Sequence, residues 1–481
     1  MSESRAARPH YNLTFTVLAV AATAYVLLQS LVLPALPVFE RDLHTSETSV
    51  SWILTAYLLS ASIATPIIGR LGDMHGKERV LLIVLIILAV GTVMSGVASS
   101  IGLLIAGRVV QGVGGGIFPL AFGIIRDEFP RERVAGGIGL MSSLIGIGGG
   151  AGIVLAGPIV ENMSYHWLFW FPLVALVISA VATWRYVPES PIKTPGQINW
   201  LAALLMSIGL VMVLVAVSET TVWGWGSPKT IGLIIVGLIV LAGWIWTEMH
   251  SPEPLVDMRM MRVKGVWTTN AAAFLFGVGM YSAFIIIPQY VQEPVSTGYG
   301  FGASIVASGL FLVPTTIVML LVGQFSGTID RRFGSRPALL VGALFTVVAF
   351  VLLTFARSER WEIYAASALL GAGVGLAFAA LANLIVQNVS QEQTGVATGM
   401  NTVMRSLGGA LGGQIAATFI ANSVFHGQPT NHGYTLAFAF CLAGLVACLL
   451  VSLLVPRRGV VGEVDPHRPA LPGELVAAAV D

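Results

Sequence analysis

Charge is what this chain has least of. Of its 481 residues, 10% are Asp, Glu, Lys or Arg and 56% are hydrophobic, whereas a soluble domain carries about 25% charged residues. That deficit excludes a surface facing water throughout and points to one facing lipid. A net charge of +1 leaves no polyelectrolyte signal, so nucleic acid is excluded as a partner. Cysteine is nearly absent. Cys441 and Cys448 share one apolar run, about 10 Å apart if helical and out of disulfide reach, so they read as packing residues. Cofactor motifs are missing too. No Gly-x-x-x-x-Gly-Lys-Ser/Thr occurs, which excludes a phosphate-loop ATP pump, and glycine clusters such as 146–152 lie inside apolar runs with no strand before them, which fails the context for nucleotide binding. The eight histidines contain no His-Glu-x-x-His, so no metal site is expected. No nucleophile–base pair is apparent. The chain reads as a non-enzyme without a cofactor.

What it has instead is apolar runs of about 20 residues, the length that crosses a bilayer. They cover 13–36, 50–69, 80–99, 103–125, 135–159, 167–187, 199–219, 230–249, 265–290, 303–325, 338–356, 362–386, 395–421 and 435–456. The first follows Arg5 and Arg8; its length and the spans behind it make it a membrane span rather than a cleaved signal. In lipid every backbone amide needs a partner within its own segment, so the spans are helices. The expected class is an all-α polytopic membrane protein with fourteen spans. Basic residues orient it. Arg70, Lys77 and Arg79; Arg126, Arg131 and Arg133; Arg185 and Lys193; Arg259, Arg262 and Lys264; and Arg331, Arg332 and Arg336 fall on the side of both tails. The opposite loops hold Arg41, Lys229, Arg357 and Arg360. The positive-inside rule then puts both termini in the cytoplasm, as expected of a multi-pass protein of the inner (plasma) membrane. The tails are 1–12 and 457–481; the second, rich in Pro, Val, Ala and charge, reads as disordered.

The chain also repeats itself. Gly112, Gly114 and Gly116 return as Gly371, Gly373 and Gly375. Gly139, Gly148, Gly149 and Gly152 return as Gly399, Gly408, Gly409 and Gly412, and Glu132 returns as Glu392. Gly69, Asp73 and Gly76 are echoed by Gly327, Asp330 and Gly334. Three stretches in one register imply two like-oriented six-helix halves, 13–187 and 265–456. The segment 188–264 is then a linker carrying two extra spans.

Several motifs carry a specific resemblance. Gly69-Arg70-Leu71-Gly72-Asp73-Met74-His75-Gly76-Lys77-Glu78-Arg79 resembles the loop between the second and third helices of the major facilitator superfamily, with Met74 where that family usually has Arg. Arg108-Val109-Val110-Gln111-Gly112-Val113-Gly114 is similar to its fourth-helix motif. The glycines of span five, with Gly157 and Pro158, resemble the antiporter helix, although Gly152-Ile153 stands where Gly-Pro is usual. Asn401 to Gly412 and Pro288-Gln289-Tyr290-Val291-Gln292 look like the fourteen-span drug:proton antiporter branch. The resemblance covers residues 13–456 and implies two six-helix bundles plus an inserted hairpin, alternating access around a midplane chamber, and a proton gradient as energy source.

From the residues and the resemblance together, Gly69, Asp73, Gly76, Lys77 and Arg79 are expected to form a conformational switch, with Asp73 meeting the positive N-terminal end of the thirteenth helix. Tyr25, Gln29, Arg108, Gln111, Asn270, Tyr281, Gln289, Asn383, Asn401 and Arg405 are candidates for the chamber and substrate. Gly148, Gly152, Gly157, Pro158, Gly408 and Gly412 are expected to pack helices, since small residues let helices approach in lipid. The branch usually places an Asp in span one; here that position is Leu28. None of the 24 acidic residues lies mid-span, and Glu219, Glu248 and Glu362 sit at span ends. Asp73, Asp127 and His166 remain as candidates to carry a proton. A polar interior holding arginines and no carboxylate favours neutral or anionic amphipathic substrates over lipophilic cations. The expected function is a monomeric secondary exporter of drugs or metabolites, with a lipid or lysolipid transporter of the same fold as the alternative, and a receptor or membrane enzyme as the reading from another class.

Overall fold

The computed structural model describes residues 11–190, 193–194, 196–425 and 428–456; the tail expected at 457–481 and nearly all of 1–12 lie outside them. The apolar runs fold into long helices, as backbone satisfaction in lipid demands. These are α1 (Tyr11–Ser30), α2 (Glu47–His75), α3 (Lys77–Gly96), α4 (Ile101–Glu128), α5 (Arg131–Asn162), α6 (Trp167–Tyr186), α7 (Trp200–Ser218), α8 (Pro228–His250), α9 (Lys264–Gln292), α10 (Val313–Phe333), α11 (Ser335–Phe355), α12 (Arg360–Asn388), α13 (Thr394–Ala421) and α14 (Asn431–Ser452). Thirteen described helices are long and apolar enough to cross a membrane. The remaining expected span, 395–421, is α13. It is equally long but carries Asn401, Arg405, Gln414 and several threonines, and this polarity sets it apart.

One expectation is corrected. The stretch 69–79 was read as a loop, but α2 continues to His75 and α3 starts at Lys77. Only Gly76 leaves helical geometry, with φ +103°, while its N–H still reaches the Gly72 carbonyl at 3.1 Å. A positive φ is cheap only for glycine. The second half repeats the device. Gly334 has φ +86° and donates to the Asp330 carbonyl at 2.7 Å.

One apolar core draws on Leu18, Leu28, Leu85, Leu120, Ile138 and Phe169 from α1–α6; a second draws on Phe276, Ile287, Leu339, Phe378, Phe438 and Leu445 from α9–α14. The halves meet along two seams, α5 on α10 and α2 on α13. The inserted pair α7 and α8 packs mainly on itself, and α7 lies against α2 and α13. Met206 and Leu210 of α7 share a third cluster with Ile385, Val396 and Met400. α8 turns Ile235, Leu238, Ile239 and Trp246 outward, the apolar face that lipid covers.

Glycines set the closest approaches. A Cβ on Gly152 would collide with Ser30, and one on Gly148 would come within 2.7 Å of Val26, so α5 lies on α1 through a Gly-x-x-x-Gly face. Ser30 donates to the Gly148 carbonyl at 2.7 Å. Gly408 faces the Phe274 carbonyl and Gly412 lies 2.7 Å from Val278 in the same sense, bringing α13 onto α9. Gly157, next to Pro158, meets Val306 of the other half. By contrast Gly232 on α8 faces open space. Gly408→Leu is expected to overpack the α9–α13 contact and cost about 1–3 kcal/mol, lowering the thermal unfolding midpoint in detergent, while Gly232→Leu leaves that midpoint unchanged or slightly raised.

Candidate functional site

Two features stand out between the halves: a closed seam at the end carrying Gly76, and a small chamber deeper in. At the seam, Gly69 and Gly395 lie backbone to backbone, because a Cβ on either would strike the carbonyl of the other. That approach lets Asp73, 1% exposed, reach across. Its two carboxylate oxygens accept the N–H groups of Gly395 at 3.2 Å and Val396 at 3.1 Å. These are unpaired donors of the first turn of α13, at the positive end of its dipole. Arg126 at the end of α4 does the converse. It donates to the carbonyls of Ser390 at 3.0 Å and Val389 at 2.9 Å, where α12 ends, and to Thr394 Oγ1 at 2.6 Å. Arg331 adds a bond to the Glu132 carbonyl at 2.9 Å, and Asn383 donates to Ala135 at 3.3 Å.

Behind Asp73 lies Lys77, fully buried. Its ammonium is 2.7 Å from Asp127 Oδ2 and 3.7 Å from Asp73 Oδ1. Ser190 donates to the same Asp127 oxygen at 2.5 Å, whereas Asp127 Oδ1 is buried with no partner among the described residues. Asp73, Lys77, Asp127 and Arg126 thus form a buried charge cluster with two charges of each sign. The linker joins it: the Thr194 N–H donates to the Asp73 carbonyl at 2.8 Å. Arg79 stands apart, exposed and 3.8 Å from Glu189. Glu189 also accepts Lys193 at 2.6 Å, and that contact holds its carboxyl below the usual range.

The chamber measures about 60 Å³, room for a few waters and far below the roughly 300–1,000 Å³ of a drug-sized pocket. Tyr25, Gln29, Tyr281 and Arg405 from the expected set line it, joined by Tyr57 and Phe118. Tyr25 lies 6.0 Å from Tyr57 and 6.3 Å from Phe118, centroid to centroid. Arg405, 7% exposed, stacks 4.2 Å over the Phe378 ring, and its Nε has no partner. Among the described residues no carboxylate lines the chamber or pairs with Arg405.

The other expected chamber residues lie elsewhere. Arg108 sits one layer back, fully buried, donating to the carbonyls of Ile53 at 3.3 Å and Leu28 at 3.1 Å and to Gln111 Oε1 at 2.7 Å. It reaches the chamber only through the Tyr57 ring, 4.2 Å away. Gln111 continues inward to Thr92 at 3.2 Å. Asn401 donates to Asn270 at 2.9 Å, tying α13 to α9. Asn383 belongs to the seam, and Gln289 to an outer cleft with Glu293 and Tyr434. The sequence reading missed Tyr57 and Phe118 because aromatic residues in an apolar run carry no mark of which face they take. It missed Arg126 because a basic residue at a helix end serves orientation equally well.

A family model described as Major Facilitator Superfamily matches residues 18–413. An uncharacterized MFS-type transporter of Mycobacterium tuberculosis is 30% identical over 396 residues, 80% of this chain and 56% of that protein. Multidrug transporter protein MdtP of Bacillus subtilis is 28% identical over 351 residues, 72% of this chain and 64% of its own. The Tetracenomycin C resistance and export protein of Streptomyces glaucescens is 26% identical over 396 residues, 80% and 71%. The first two matches thus span a little over half to under two thirds of those relatives' lengths. The structure of the human organic anion transporter MFSD10 superposes with a TM-score of 0.66 over 92% of this chain and 100% of its own, at 15% identity, which speaks for the fold alone.

Asp73→Asn removes the charge that faces the α13 dipole. Charge-assisted bonds of this kind are worth about 1.5–3 kcal/mol, so the open state is expected to gain roughly tenfold or more in population. Spin labels at the exposed positions His75 and Glu392, on either side of the α2–α13 seam, read this as a shift of their distance distribution to longer values; an unchanged distribution counts against the latch.

Proposed function

The chain belongs to the Major Facilitator Superfamily, and from that premise we propose that it exports small amphipathic molecules, neutral or anionic, by alternating access. It is a multi-pass membrane transporter of that family. Export, substrate charge and coupling are our reading. The observation that carries it is the chamber wall: aromatic rings, one uncompensated guanidinium at Arg405, and no described carboxylate. Aromatic rings offer area to a flat apolar body. A cation with an unused donor favours an anionic or strongly accepting group and disfavours a second cation. The names of the multidrug and tetracenomycin C relatives support amphipathic cargo and outward movement. The bias of basic residues supports both termini in the cytoplasm of a bacterial cell. In that orientation the Asp73 seam closes the inner side of the chamber.

We assign the proton step of a proton-driven antiport to the seam. Asp73 and Asp127 share Lys77 there, and Asp127 Oδ1 is an acceptor without a donor. Protonation of either carboxylate removes one charge from a balanced cluster and frees Lys77 to turn wholly to the other. Breaking one partner of a buried pair costs several kcal/mol, enough to tip a two-state seam.

Arg405→Gln is expected to weaken binding of an anionic aromatic substrate by about tenfold to a hundredfold, from the lost charged hydrogen bond, and to change an uncharged analogue by less than about threefold. Equilibrium binding to the purified transporter in nanodiscs measures both. Strong ethidium transport with no transport of anions overturns the substrate assignment. In proteoliposomes, acidifying the compartment that receives the substrate should speed flux into it; Asp127→Asn should abolish that response while exchange at equal pH persists. Flux indifferent to the gradient in the unaltered protein removes the coupling.

A further inference from the structure

We propose a second binding site, for a small aromatic anion, in the cleft at the end of the C-terminal half opposite Gly76. It shares no lining residue with the chamber, and nothing in the preceding reading requires it. The cleft holds about 480 Å³ between the end of α11, the connection after α9 and the start of α14. Tyr290, Tyr299 and Phe301 wall it, and Arg357 lies in its floor.

Arg357 is the unusual member. It is 5% exposed, yet among the described residues no carboxylate lies within ion-pair distance. Its partners are neutral: the carbonyls of Leu353 at 2.8 Å, Thr354 at 2.7 Å and Asn431 at 3.0 Å, Asn431 Oδ1 at 2.5 Å and Thr435 Oγ1 at 2.5 Å. Its Nε is buried with no partner. Nearby acids are engaged elsewhere. Glu293 accepts the Tyr434 hydroxyl at 2.8 Å, and Glu359 and Glu362 cap the start of α12. The guanidinium rests 5.3 Å from the Tyr290 centroid and 5.6 Å from that of Phe438, contacts that offset only part of a buried charge. Burial accordingly pulls its pKa below the usual guanidinium value. A role as a staple between α11 and α14 explains the five neutral bonds. It does not explain a cleft opening beside an uncompensated cation.

The walls select the ligand's body. Phe301 stacks on Phe311 with centroids 6.0 Å apart and rings 6° from parallel, which fixes its plane. Arg360 lies 5.8 Å from the Phe301 centroid and brings a second positive charge to the same ring. A flat ring against Tyr299 and Phe301, with an oxyanion toward Arg357, uses both the aromatic walls and the cation of the cleft. An acyl chain uses none of the flat faces.

The test is salicylate binding to the full chain in phosphatidylcholine nanodiscs, read by ligand-observed NMR with benzyl alcohol as the uncharged control. Ser358 lines the cleft and is exposed, so Ser358→Glu adds a repelling charge without touching the core. It should weaken salicylate at least fivefold and leave benzyl alcohol unchanged. Phe301→Ala should weaken both, Arg357→Gln should abolish the salicylate site, and Arg405→Gln should leave it intact, which separates this cleft from the chamber. Salicylate affinity unmoved by Ser358→Glu and by Phe301→Ala overturns the proposal. So does competition by phosphatidylglycerol that Ser358→Glu removes, since the cleft then takes a lipid phosphate instead.

Discussion

The structure turns on a carboxylate set against a helix start and a guanidinium set against a helix end. Asp73 takes the first free N–H groups of α13, and Arg126 takes the carbonyls of Val389 and Ser390, just past the end of α12. Asp73 meets the positive dipole end of α13, Arg126 holds the connection that leads into it, and both come from the N-terminal half to grip the C-terminal half. A seam built from apolar contact alone would have little reason to hold in one arrangement, since lipid is as apolar as the helices it surrounds. Directional bonds to backbone groups that otherwise go unpaired give the closed state a defined geometry. They also give it a defined way to fail, because moving α13 by a turn breaks all of them together. Lys77 and Asp127 keep the cluster neutral, so burying it does not leave a net charge in a low-dielectric region.

The interior beyond the seam follows a different rule. Arg108, Arg405 and Arg357 are buried, each lies over an aromatic ring, and none has a carboxylate at ion-pair distance among the described residues. Arg108 is enclosed, donating to two carbonyls and Gln111 with only its Nη2 left without a partner among the described residues, and it stiffens the wall behind Tyr57. Arg405 and Arg357 border spaces instead. An unpaired cation costs free energy in the empty protein, and a ligand that supplies the missing charge recovers it. The same chemistry is thus structural where the cation is enclosed and a binding feature where a cavity adjoins it.

How much of this was legible in the sequence depends on the kind of signal. Hydropathy marks the helices because crossing lipid leaves the backbone no alternative; it marks α13 least clearly, since that helix lies between the halves and carries their polar contacts. Asp73 was legible through its glycine frame, whose φ and close approach no other residue tolerates. The extent of α2 was not. Polar residues of its last two turns look like a loop, and only the packing of Asp73 and Lys77 shows that they are buried helix. Arg108 and Gln111 were placed in the chamber because a charge inside a span demands a reason. The reason turned out to be backbone carbonyls, which leave no sequence trace. The aromatic lining is the converse case. Tyr57 and Phe118 reach the chamber by helix rotation, and rotation is set by partner helices far away in sequence.

The two halves repeat a turn but not its contact, and that difference shapes how the molecule can move. Gly76 and Gly334 form matching breaks. Asp73 crosses to the other half, whereas Asp330 is held by Ser335 within its own. The latch is therefore one-sided, on the α2–α13 seam. The inserted pair reinforces the same side. α7 packs on α2 and α13, Thr194 ties the linker to Asp73, and Trp225 donates to Thr418 of α13 at 2.7 Å. The opposite seam, α5 on α10, is tied near its Gly76 end by the Arg331 bond to the Glu132 carbonyl. There Gly139, Gly146 and Gly150 of α5 meet Ser326, Met319 and Thr316 of α10, a small-residue face that permits sliding at little cost in packing. A transporter with one latched seam and one smooth seam opens as a hinge does. In the proposed cycle the smooth seam keeps the halves together while the latch alone decides when the chamber meets the inner side.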